Sequence, residues 1–219
     1  MDDQDDDWND DWNGEPEAAT DPNSFFVKAA VFELSLGLLG LLAGWLLGYD
    51  ARQLIPPADE WGPIAYGIGL GIAATAPMLV AVWILDKLKL TGVQELSRLT
   101  EDRLLAPMRH LTALELFAIS LCAGLGEELL FRGWLQGWLI GSMEDASLLR
   151  VTLGVLVASV AFGLVHAMTP TYFVLATLVG VYLGWLTVAT QNLLVPIVAH
   201  ALYDAVQLIL AVRQKPEPT

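Results

Sequence analysis

The sequence predicts an all-α fold: a polytopic transmembrane helix bundle of about six spans, with an amphipathic helix on the membrane surface and a disordered acidic N-terminal tail. Three observations carry this reading. Only 16% of the residues are charged, 55% are hydrophobic and the mean hydropathy is +0.52, whereas a soluble domain carries about 25% charged residues. Six stretches are apolar over lengths that can cross a bilayer, for which about 20 residues suffice. The acidity is local: residues 1–24 hold ten acids and no base, so the rest of the chain has 15 acids against 11 bases, a net −4 out of the total −14.

Residues 1–24 are too charged and too poor in aliphatic side chains to fold alone, which predicts a disordered tail. Trp8 and Trp12 give it a candidate handle for a protein partner or a headgroup layer, beside the plainer reading of a solubilising tail. Lys28 is the only base before residue 52, so the first apolar stretch lacks the basic flank of a cleaved signal peptide.

The apolar segments fall near 25–48, 64–85, 112–141, 148–166, 172–189 and 195–212. Between the second and third lies 86–111, where leucines recur at spacings of three and four between charges; this predicts a surface helix ended by Pro107, with a solvated loop helix as the alternative. With that loop inside, eight Lys and Arg residues fall on the cytoplasmic side and two, Arg52 and Arg150, outside, which puts both termini in the cytoplasm. The third segment is too long for one straight span and calls for tilt, a kink or emergence at one end. Gly124, Gly126, Gly133, Gly137 and Gly141 thin its surface and place it at the centre of the bundle. Four regions result: the tail 1–24, two spans with the surface helix 25–111, a core 112–212 and a C-terminal tail 213–219.

Function is sought where polar groups occupy apolar segments, because an ionised side chain at membrane depth costs from about 2.5 to more than about 10 kcal/mol. The third segment holds Glu127, Glu128 and Arg132. Glu128 and Arg132 are four residues apart and share a helical face, while Glu127, turned about 100° away, faces something else. His166 closes the fourth segment after Phe162; His200 and Asp204, one turn apart, lie within the sixth. A carboxylate with a histidine can hold and deprotonate a water, and a second histidine can steady an oxyanion, the requirements of amide hydrolysis without a protein nucleophile. Alternatively Glu127, His166 and His200 would offer a zinc ion two nitrogens and an oxygen, with a fourth position open. The cofactor is thus a divalent metal such as zinc, or none. The HExxH pairing of soluble zinc proteases is absent. His110 lies in the basic surface region, the lone Cys122 reads as a small buried residue, and the chain lacks the basic surface of a nucleic-acid binder.

The ordered set Glu127-Glu128-Leu-Leu-Phe-Arg132, Phe162-Gly-Leu-Val-His166 and His200-Ala-Leu-Tyr-Asp204 resembles the CAAX prenyl endopeptidase and bacteriocin-processing (CPBP, or Abi) family of intramembrane proteases, over residues 112–210. The resemblance implies that Glu127 and His166 activate the attacking water, that Glu128 and Arg132 complete the first motif, that Phe162 packs beside His166, and that His200 with residue 204 forms the oxyanion site. Eukaryotic members carry asparagine at the last position. Asp204 cannot donate a hydrogen bond when ionised, so it must be protonated, orient His200, bind a metal or mark lost activity. The compact layout resembles prokaryotic members, implying a plasma-membrane enzyme acting on a membrane-embedded or lipid-presented peptide. The competing readings are a non-catalytic scaffold or accessory subunit of a larger membrane complex and, more remotely, a proton or ion carrier, which would call for paired inverted segments.

One conflict stands within this reading. Simple spans put His166 at the cytoplasmic end of its segment and His200 in the outer half of another. The expectation is that the fourth segment stops in mid-membrane around Met168-Thr169-Pro170, with irregular backbone lining a wet cavity.

Overall fold

The computed structural model describes residues 22–100 and 105–213, and the expectations for the acidic tail and the last six residues lie outside them, except that helix already begins at Pro22. In chain order the helices are α1 (Pro22–Leu47), α2 (Trp61–Leu88), α3 (Thr91–Thr100), α4 (Ala113–Glu128), a π-helical segment (Leu129–Gln136), α5 (Gly137–Ile140), α6 (Leu148–Val165), α7 (Pro170–Thr190) and α8 (Leu194–Arg213). The fold is all-α among the described residues. Five helices, α1, α2, α6, α7 and α8, are each long and apolar enough to cross a membrane.

The third apolar segment is not one α-helix. It starts at a capping box, Thr112 accepting from the Glu115 N–H while the Glu115 carboxylate accepts from Thr112, which satisfies the first orphan donors. At Leu129 it loosens into eight residues of π-helix and tightens again at Gly137. The departure anticipated for an over-long span is therefore a π segment, a form that occurs mostly at functional sites, and it carries Arg132 and Gln136.

The surface helix is the ten residues of α3, amphipathic and with no buried residue. Pro107 sits in a short 3-10 turn, Ala106–Met108, and residues 101–104 are outside the described set. α2 continues to Leu88, so the start of the expected surface segment belongs to a span; Lys89, in the left-handed region, ends it.

α4 runs between α1 on one side and α8 on the other, α8 lies in turn against α2, and α6 and α7 form a pair closing over the π segment. Glycines decide how near these axes come. A Cβ on Gly126 would collide with the carbonyl oxygen of Glu33 in α1, and one on Gly124 would lie 2.9 Å from both Ala201 and the Ile197 carbonyl of α8. Only a residue without a side chain lets α4 touch both neighbours. The outward faces are apolar, with Trp45, Leu114 and Leu148 each more than 70% exposed, and the interior is unusually polar. Glu127, Glu128, Arg132, Gln136, Ser159, Thr187 and His200 are all buried. A bundle that is oily outside and polar inside suits lipid as its solvent.

The depth conflict is resolved from both sides. α6 ends at Val165 and residues 166–169 are non-helical, as expected for the fourth segment. His166, its C-terminal cap, lies beside Glu127, fourteen residues into α4, so α6 stops about 21 Å short of where α4 begins. The sequence did not reveal the second contribution, which is that α8 starts recessed. Its first residue, Leu194, packs against Gly67, six residues or about 9 Å into α2, and the N–H of Leu193 donates to the Leu54 carbonyl of the α1–α2 loop at 2.8 Å. His200 is thereby drawn inward to the depth of Glu128.

Candidate active site

The site is built outward from adjacent residues at the end of α4. Helical geometry turns Glu128 towards α8 and the π segment, and Glu127 towards α1 and the end of α6. Glu128 Oε1 accepts from Arg132 Nη1 at 2.7 Å and faces His200 Nδ1 at 2.8 Å. The side chains of Glu128 and Arg132 are both 0% exposed. The second Arg132 amino group donates to the Gly180 carbonyl of α7 at 3.1 Å, and its guanidinium carbon lies 4.4 Å from the centre of the Phe162 ring. Such a buried cation is tolerable only because carboxylate, carbonyl and ring face share its charge.

His200 points both ring nitrogens at carboxylates, Nδ1 to Glu128 and Nε2 to Asp204 Oδ2 at 3.3 Å. The chain Arg132–Glu128–His200–Asp204 therefore links the π segment to α8. It runs from a sealed interior to Asp204, whose side chain is 30% exposed.

Glu127 meets different company. Its Oε2 is 3.7 Å from His166 Nε2. His166 turns its other nitrogen, Nδ1, onto the Phe162 carbonyl at 2.8 Å, so the neutral ring carries its proton there and leaves the Nε2 lone pair facing Glu127. Phe162 stacks obliquely on His166 with centroids 4.5 Å apart, as the second motif implied, and Tyr172 of α7 closes the other side edge-on at 5.7 Å. The His166 side chain is 22% exposed, so this half opens to the surroundings.

All six residues singled out from the sequence thus meet in one cluster: Glu127, Glu128, Arg132, His166, His200 and Asp204. Spacing alone did not reveal three other contributors. The Gly180 carbonyl carries no side-chain signal, and Tyr172 looked like one more aromatic in a span. The third is Glu33 of α1, whose backbone lies against Gly126 and whose carboxyl interacts with Glu127. A signal for it existed: Glu33 is the one acid in the first apolar segment and continues the row Gly37, Gly40, Gly44 at helical spacing.

The zinc tripod weighed for Glu127, His166 and His200 does not assemble. No group of three His, Cys, Asp or Glu side chains among the described residues is placed to hold a metal ion. The reason is visible in the donors, since both nitrogens of His200 and one of His166 are directed at other groups.

No curated protein and no solved structure matches the chain. A family model does: residues 109–206 match the one described as Rce1-like, type II CAAX prenyl endopeptidase. That match begins just before α4 and ends in α8, enclosing all three motifs. With five apolar helices of spanning length, the chain is an integral membrane protein, and its core over residues 109–206 is similar to the Rce1-like family, which supports an intramembrane endopeptidase of the CAAX-protease type in general.

Proposed function

We propose that the protein hydrolyses a peptide bond of a membrane-embedded or lipid-presented substrate, with a water activated by Glu127 and His166 as the nucleophile. The observation that carries this reading is the pair itself: a carboxylate oxygen and an unprotonated imidazole nitrogen 3.7 Å apart, with the His166 side chain partly exposed. A water there donates one hydrogen to Glu127 Oε2 and the other to His166 Nε2, which directs its lone pairs at an incoming carbonyl carbon.

Glu127 takes the water proton as the hydroxide adds to the carbonyl. The tetrahedral oxyanion then develops near His200 and Asp204, where the Nε2–H of His200 turns from Asp204 to the oxyanion and offsets its charge. The C–N bond breaks and Glu127 returns the proton to the leaving amine. In this reading Asp204 orients His200, a role an ionised carboxylate can fill, and Glu128 holds the opposite nitrogen of the same ring. Arg132 holds Glu128 in place. The enzyme resides in a prokaryotic plasma membrane with both termini cytoplasmic, consistent with the basic residues on that side.

The test is hydrolysis of membrane-presented peptides, prenylated and unprenylated, by the full chain in lipid nanodiscs, read by mass spectrometry. Wild type should cut at a defined bond while Glu127→Gln and His166→Ala, folded and at equal density, do not. Equal cleavage by wild type and Glu127→Gln would overturn the mechanism. If no substrate is cut and the variants still retain a native binding partner, the scaffold reading takes its place.

A further inference from the structure

α1 lies outside residues 109–206, where the family resemblance is found, yet it reaches the site. Its contact with α4 is backbone against backbone. At Gly126 there is no room for even a Cβ beside the Glu33 carbonyl, and a Cβ on Gly37 would lie 3.1 Å from the Cα of Gly126. The inner face of α1 carries Glu33 and Gly37 against α4, Gly40 against the π segment and Gly44 against the following loop, while Val31, Phe32, Leu38 and Trp45 are exposed and apolar. Glu33 is therefore held on the inner face, one residue from Glu127 along α4.

The carboxyl of Glu33 interacts with that of Glu127 across this contact. Oε2 of Glu33 and Oε2 of Glu127 are both buried, and neither has a donor in range among the described residues. The other acids of the cluster have a charged or imidazole partner: Glu128, whose Oε2 is likewise without a donor, with Arg132 and His200, and Asp204 with His200. The neighbours of Glu33 do not supply a cation of its own. Glu127 and Cys122 face it from α4, and His200, already between two carboxylates, and Asp204 act on it from α8. Two carboxylates side by side in a medium of low dielectric cannot both stay ionised.

We propose that Glu33 is a positioning residue for Glu127: the two share one proton, which Glu33 donates so that Glu127 is held ionised and aimed at the water. The inference rests on the reading of Glu127 as the base. Glu33 touches neither water nor substrate; its proton stays between the carboxyls throughout turnover, while the proton taken from water leaves with the amine. A bundle in which α1 only packs against α4 would have no use for an acid at this position.

Two measurements on the full chain in nanodiscs test this. Infrared spectroscopy of the substrate-free protein at neutral pH should show the carbonyl band of a hydrogen-bonded carboxylic acid that shifts on deuterium exchange and is lost in both Glu33→Gln and Glu127→Gln. A wild type without the band, or a band that survives both substitutions, overturns the proposal. In turnover, Glu33→Leu should lower kcat by about 100-fold with KM unchanged. Glu33→Gln keeps an N–H donor towards Glu127 and should stay within about tenfold of wild type, as the loss of one modest hydrogen-bond advantage allows. Equal rates for Leu and Gln overturn it as well. Should Glu33→Leu not fold, Glu33→Asp replaces it, with partial rescue expected and full inactivity contrary. The infrared reading needs no turnover, so an inactive wild type would sink the peptidase reading while the band still decided whether the proton is shared.

Discussion

Glu127 and Glu128 are neighbours in sequence and stand in opposite regions of the molecule. The Glu128 region is sealed: its carboxylate, Arg132 and the Gly180 carbonyl form a buried knot in which every charge has a partner. The Glu127 region is open on one side through His166 and holds two acids, Glu127 and Glu33, without a cation of their own. The difference shows how a helix assigns unlike tasks to like residues. A rotation of about 100° per residue sends one carboxylate into a neutralising network and the next into a reactive hollow. The first region should govern stability and the second turnover.

The sharpest break of this comparison is at Glu127. Glu127→Gln should cut kcat by about 10³-fold or more, within the range of a lost general base, while the thermal midpoint in detergent stays within a few degrees of wild type. His166→Ala should behave alike. If either variant unfolded instead, the division between regions would fail. The mirror image is Arg132→Met, which leaves Glu128 buried without its cation and should cost about 3–5 kcal/mol, measured by thermal unfolding in detergent, with activity falling only as folded protein is lost.

A smaller effect sharpens the boundary. Gly126→Val forces α1 away from α4 at Glu33; overpacking of this kind costs about 1–3 kcal/mol. It should reduce turnover more than unfolding data explain, because Glu33 is withdrawn from Glu127. The smallest expected change is Asp204→Asn, which restores the asparagine of the eukaryotic motif. With His200 already fixed by Glu128 at 2.8 Å, kcat should stay within about tenfold of wild type. A loss comparable to that of Glu127→Gln would make Asp204 a reacting group.

Much of this was readable beforehand. The pairing of Glu128 with Arg132 follows from a separation of four, and the break after the fourth segment was demanded by the need to bring His166 and His200 to one depth. The π segment was not readable, because its residues, Leu129 to Gln136, carry no pattern that separates i→i+5 from i→i+4 bonding. Nor was the recessed start of α8, since Leu194 is as apolar as a residue that begins at a membrane face. Glu33 went unread although it is the one acid in its apolar segment, because nothing in the sequence names the helix its glycine row would face.

By itself the order of residues determined the class of the protein, the count and rough limits of its apolar segments, and which six polar side chains would have to meet. These are consequences of hydropathy and helical period, which act along the chain. Only the tertiary structure decided at what depth those side chains stand, which nitrogen of each histidine is left over, and that α1 brings a further acid to Glu127. Those outcomes depend on how closely two helix axes approach. That distance is set where a glycine on one helix meets the backbone of another, and neither sequence segment contains it alone.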